Sequence, residues 1–177
     1  KKVSEKSEAG GYYLPNNVRE LDFSMLPQGK AQFTNCNLPL HNLNENEFLL
    51  MTIRSHDQFN TTIYGLNDRY RGIYNERRVV LMNEEDMKKH QLKKLDIVDL
   101  VSNYDGIERI AKQFLVVPYK IPKQNLAAYF PETNVLIPIN QYADKSYTPI
   151  SKSIKVSIKK TIRVPNKTPL IAIVYNI

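Results

Sequence analysis

The sequence predicts a mainly β chain with short helices that closes into a barrel. Three observations carry that prediction: six apolar stretches of strand length, one clear helical segment of about two turns, and 10 prolines spread through 177 residues. A doubly wound sheet would need long helical segments between its strands, and none is present.

Residues 1–47 are polar, interrupted by Pro15, Pro27 and Pro39, with Asn-rich stretches at 35–37 and 42–46. Their few apolar residues follow neither a helical nor a strand period, which predicts an extended arm or linker rather than a core. Residues 48–53 (FLLMTI) form an unbroken apolar run, predicting a strand buried on both faces. Further strands are predicted at 78–82 (RVVLM), 96–101 (DIVDLV), 110–118, 135–138 and 154–158. In the last, Ile154, Val156 and Ile158 alternate with Lys155, Ser157 and Lys159, the period of a half-exposed strand. The helix begins after Asn83, a suitable N-cap. Glu84, Glu85 and Asp86 occupy the end favourable to anions, and Lys88, Lys89 and His90 the end favourable to cations. Asp105-Gly106 predicts the turn of a hairpin into the strand at 110–118.

Composition narrows the function classes. With a single Cys, Cys36, the chain forms no internal disulfide, and no apolar run reaches the roughly 20 residues of a membrane-spanning helix. The expectation is a soluble, cytoplasmic chain with no membrane partner. It does not begin with Met and shows no signal-peptide order, so its first residue reads as a processed or internal boundary. The net charge of +7 lies wholly in the last 33 residues, which carry seven basic and no acidic residues; residues 1–144 carry 18 of each sign. His41, His56 and His90 are scattered and Cys36 has no neighbour at zinc spacing, so no metal-ligand set is expected. With six Gly and no glycine-rich run, a phosphate-binding loop is absent too.

The segment from Thr52 to Thr62 (TIRSHDQFNTT) comes directly after the first apolar strand, and nearly every side chain in it can donate a hydrogen bond. Strand ends opening into polar loops are where rigid scaffolds bind ligands, and Arg54 offers a planar fork suited to phosphate or a fused heterocycle. The same residue types also suit a capped turn.

Three blocks, MTIRSHDQFNTTIYGLNDRYRGI, VVLMNEEDMKKHQLKKLDIVDL and LAAYFPETNVLIPINQYADKSYTPISKSIKVSI, resemble the C-terminal cofactor-binding domain of molybdopterin-dependent oxidoreductases. Within that family the blocks resemble the alpha subunits of the formate-dehydrogenase-like group. GKAQFT at 29–34 resembles the stretch with which such subunits enter their last domain. The resemblance spans roughly residues 20–160 and implies a six-stranded closed double-psi β-barrel over 48–160. It implies that the domain caps a bis-molybdopterin guanine dinucleotide cofactor holding Mo or W, with the preceding domains of the parent enzyme as partners. By position in the matching blocks, it implies that Arg54, Ser55, Gln58, Asn60 and Thr61 meet pterin or pyrophosphate groups, with Thr52 and His56 as weaker candidates. It adds Asn83, which an N-cap role explains equally well, then Tyr129, Glu132 and Asn134 of the AYFPETN stretch, and Lys152, which a solvated surface lysine also explains. No catalytic residue and no metal ligand is expected in this chain, so alone it is expected to be inactive. Residues 161–177 (TIRVPNKTPLIAIVYNI) lie beyond the family pattern and are expected to add a strand to the barrel or to a neighbouring chain. The competing expectation is a small basic barrel that binds nucleic acid, while a subunit-interaction module, with arm and tail docking onto other domains of the parent, complements the cofactor-domain reading. The basic stretch 152–163 holds no aromatic residue on which bases would stack, so nucleic acid is the weaker reading.

Overall fold

The computed structural model describes residues 5, 10–38, 40–60, 62–161 and, for backbone alone, 173–174. The chain divides into two compact units, Lys1–His41 and Asn42–Ile177. In the first unit none of the described side chains is buried. Its order is local: Asn16 accepts from the Arg19 N–H at 3.0 Å, Arg19 donates to the Leu14 carbonyl at 2.9 Å, and a 3-10 turn spans Pro27–Gly29.

The second unit is a closed six-stranded barrel. Its elements are β1 (Glu47–Ile53), β2 (Ile73–Tyr74), β3 (Val79–Met82), α1 (Glu84–Lys89), β4 (Ile97–Tyr104), β5 (Ile107–Pro118), β6 (Asn125–Tyr129), β7 (Ile154–Lys160) and β8 (Ile173–Val174). Around the ring the order is β1-β6-β3-β5-β4-β7, while β2 and β8 form a separate antiparallel pair. Two pairs are parallel, β1 with β6 and β3 with β5; the remaining four pairs are antiparallel. Closure gives each barrel strand two neighbours and leaves no open edge.

Alternation sorts the apolar residues into two layers. Phe48 and Leu50 of β1, Val80 and Met82 of β3, Leu126 and Ala128 of β6, and Ile154 and Val156 of β7 share the main core with Phe114 and Leu136. The opposite faces of β3 and β6 carry Val79, Leu81, Ala127 and Tyr129, which pack with Ile73 of β2 in a second cluster. So β3 and β6 are buried on both faces, with Ile73 of the segment that follows β1 packed on their outer side. β1 is not: Phe48, Leu50 and Thr52 are buried, but Met51 is 45% exposed. An unbroken apolar run is therefore a poor guide to which strand is covered twice.

Two further differences concern β6 and the residues after it. The strand predicted at 135–138 is a 3-10 turn, Asn134–Leu136, which drops Leu136 into the core while Val135 stays exposed. Ser102 Oγ fixes it by donating to the Leu136 carbonyl at 2.8 Å. The sixth barrel strand is β6 instead, whose NLAAY sequence has no β-branched residue. Pairing on both sides, parallel to β1 and antiparallel to β3, overrides its weak propensity. The hairpin of β4 and β5 turns at Asp105 and Gly106, both at positive φ as a type I′ turn requires. A bulge opposite Asp99 puts Gln113 at positive φ, and Asp99 Oδ1 accepts its N–H at 2.8 Å. Helix α1 is capped as expected by Asn83, whose Oδ1 accepts from the Glu85 N–H at 2.8 Å. Of residues 161–177, only Thr161 and the β8 backbone fall among the described residues.

Candidate functional site

Strand direction gathers three chain segments at one end of the barrel. β1 and β6 run parallel, with Ile53 level with Tyr129, so they release Arg54 and Phe130 side by side; the Phe130 N–H donates to the Ile53 carbonyl at 2.9 Å. β3 runs against β6, which brings the residues just before it, Glu76, Arg77 and Arg78, to the same end.

Arg77 is the centre of this cluster and is only 3% exposed. Its Nε donates to Glu132 Oε1 at 2.6 Å and its Nη1 to Ser55 Oγ at 2.9 Å. Nη2 donates to Gln58 Oε1 and the Phe130 carbonyl, each at 2.9 Å, and to Glu132 Oε2 at 3.3 Å. The guanidinium also lies 3.9 Å from the Tyr64 ring centre and 4.9 Å from that of Tyr129. A buried cation is stable only when paired and hydrogen-bonded, and the Glu132 carboxylate with these acceptors meets that need. Glu76 holds the approach to β3 by accepting both the Arg77 and Arg78 N–H groups through Oε1, at 2.8 and 2.7 Å.

A second arginine holds the same loop from its other side. Arg71 Nη1 donates to the Arg54 carbonyl at 3.2 Å and also to Asp68 Oδ2. Asp68 is 1% exposed; its Oδ2 also takes the Tyr129 hydroxyl at 2.8 Å, while its Oδ1 is buried with no hydrogen-bond partner among the described residues. Burial first, then the Asp68 carboxylate, raises the Tyr129 phenol well above its ordinary range, so it stays a donor.

The residues named from the sequence therefore separate into groups. Ser55, Gln58, Tyr129 and Glu132 come together, but their polar atoms are engaged with Arg77 or Asp68. Arg54 and Asn60 are exposed at the same end, and the Arg54 guanidinium has no partner among the described residues. Lys152 reaches this end too, its Nζ donating to the Thr52 carbonyl, and Thr52 itself is buried with its N–H on the Ser151 carbonyl. His56 is exposed and packs on Tyr70, with ring centres 3.7 Å apart. Asn134 is exposed at the 3-10 turn beyond Glu132. Thr61 lies outside the described residues. Asn83 sits at the opposite end, after β3, where its amide caps α1 and donates to the Ile121 carbonyl at 2.7 Å.

Sequence reasoning passed over Asp68, Arg71 and Arg77. A signal was present, because the polar, arginine-rich stretch DRYRGIYNERR at 68–78 runs directly into an apolar strand, the mirror image of the strand-to-loop pattern that drew attention to Arg54. Among the described residues there is no group of three or more His, Cys, Asp and Glu able to hold a metal ion, and no helix is long and apolar enough to cross a membrane.

With this geometry in view, similarity to known proteins gives the site a chemical context. A family model described as Molydopterin dinucleotide binding domain matches residues 48–160. The uncharacterized oxidoreductase Rv2900c of Mycobacterium tuberculosis is 46% identical over 156 residues, covering 85% of this chain and 20% of the relative. Protein YdeP of Escherichia coli is 34% identical over 156 residues with the same coverage. The chain thus spans about a fifth of the length of these curated relatives.

Proposed function

The chain belongs to the Molydopterin dinucleotide binding domain family, and on that premise we propose that it is the C-terminal cofactor-binding part of a larger, formate-dehydrogenase-like oxidoreductase. In this reading the barrel has double-psi topology and caps a bis-molybdopterin guanine dinucleotide cofactor holding Mo or W. The two parallel pairs, β1 with β6 and β3 with β5, support that topology, since each needs a crossover connection. Residues 1–41, with no buried side chain among those described, suit an arm that packs on preceding domains.

The observation that carries the proposal is the Arg54 guanidinium, which has no partner among the described residues, at an end of the barrel where Ser55, Gln58, Tyr129 and Glu132 are already engaged with Arg77 or Asp68. A dinucleotide brings a pyrophosphate and rings edged with donors and acceptors. Arg54 and Lys152 supply cations for the former, and the exposed side chains of Asn60 and Asn134 supply partners for the latter. The donor set therefore fits the group. Bound there, the cofactor supplies the redox chemistry, while this chain binds and orients it.

The test measures pterin per polypeptide in the full-length protein after substitution at each end of the barrel. Arg54→Ala and Lys152→Ala each remove a charge-assisted contact, worth about 1.5–3 kcal/mol, and are expected to weaken retention by about tenfold or more. Asn83→Ala, at the far end, is expected to keep the wild-type content. Full retention in Arg54→Ala would refute the assignment.

A further inference from the structure

We propose that Arg77 is the positioning residue of the cofactor-facing loop, and that Ser55, Gln58 and Glu132 act through it rather than by touching the dinucleotide. The inference rests on the cofactor-binding reading above and assigns the work within that site.

Arg77 joins three segments that the fold merely brings near each other. Ser55 and Gln58 belong to the segment leaving β1, Phe130 and Glu132 to the segment leaving β6, and Arg77 itself to the approach to β3. All three guanidinium nitrogens are in use, and the group packs against the rings of Tyr64 and Tyr129. A phosphate would find Arg77 buried and already neutralised by Glu132. What Arg77 can do is fix the course of the loop from which Arg54 and Asn60 project. Gln58 transmits the restraint, because its Nε2 donates to the Phe130 carbonyl at 2.8 Å and the Asn60 carbonyl at 3.3 Å while its Oε1 receives Arg77. Arg71 holds the Arg54 carbonyl from the other side. A lysine at 77 keeps the charge but not the planar fork that reaches separate acceptors on two segments.

The full-length protein is the material for the test, with Arg77→Lys, Ser55→Ala, Gln58→Ala, the double variants with Arg77→Lys, and Arg54→Ala as the reference for direct contact. Pterin is quantified per polypeptide as its fluorescent oxidised form, alongside hydrogen exchange of the amides at 55–60 and the melting temperature. Arg77→Lys is expected to lower pterin retention by about tenfold and speed exchange at 55–60 while the protein remains folded. Ser55→Ala and Gln58→Ala are expected to lower retention less, and to add nothing once Arg77 is Lys, because the loop is already released. A purely structural role would move the melting temperature without this non-additive pattern. Wild-type pterin content in Arg77→Lys, or losses from Ser55→Ala that add fully to it, would overturn the proposal. If Arg77→Lys does not fold, Glu132→Gln carries the same two outcomes, since it keeps the side-chain shape but weakens the pairing on Nε. Loss of pterin in Arg54→Ala but not in Arg77→Lys defeats the positioning role alone; retention in both defeats the cofactor assignment as well.

Discussion

Tyr129 lies between Asp68 and Arg77 at the end of β6. The resemblance implies a ring-facing ligand, yet its hydroxyl is spent on buried Asp68 and its ring lies beside Arg77. Its hydroxyl thus ties the end of β6 to Asp68. Because the folded-state phenol titrates above its unfolded value, the unfolded chain loses the proton first. Stability tied to this group is full below pH 10 and declines as pH rises beyond it. Tyr129→Phe removes that alkaline decline, and at neutral pH it leaves Asp68 with Arg71 as its side-chain partner, at a cost of about 1–3 kcal/mol. Urea unfolding of both proteins at neutral pH and above pH 10 checks this; an unchanged alkaline decline in the variant would contradict it. Arg54 was legible in the sequence because its type and its place after a strand both point outward. Arg77 was not, because nothing local distinguishes a buried hub arginine from its exposed neighbour Arg78.

At the scale of elements, most strands could be read from the chain and the exceptions share a cause. Strand β7 shows the alternation expected of it, and α1 its cap and charge order. The strand β6 was hidden because its place is set by partners distant in sequence, with Ala127 level with Met51 on one side and Leu81 on the other. Residues 135–138 look like a strand by composition, yet the fold takes from them a 3-10 turn that buries Leu136 and Pro138 and packs Ile137 on the core. The facing of β1 gives a direct check. Leu50 is fully buried, so Leu50→Ala is expected to destabilise by about 2–5 kcal/mol. Met51, next to it in the same apolar run, is exposed, and Met51→Ala is expected to stay within about 0.5 kcal/mol. Equal effects in urea unfolding would mean that β1 is covered on both faces after all.

For the whole molecule, the charge that first suggested nucleic acid is answered within the barrel at three of its seven basic residues. Lys155 pairs with Glu47 at 3.5 Å, Lys159 with Glu108 at 3.3 Å and Lys160 with Asp96 at 2.7 Å. The last contact, with the Lys93 N–H second, holds the Asp96 carboxyl below its ordinary range. These cations therefore do not form the unpaired basic row that a nucleic acid would seek. The cations expected to matter are instead Arg54 and Lys152, at the end where β1 and β6 release their loops, and Arg77 and Arg71 hold one of those loops in place. This end, and not the end carrying Asn83 and α1, is expected to meet the dinucleotide. An experimental density map of the full-length, cofactor-loaded protein tests it most directly. Dinucleotide density is expected against Arg54, Asn60 and Lys152, with the Arg77 cluster intact behind them. Density against Asn83 and α1, with Arg54 left in solvent, would contradict it.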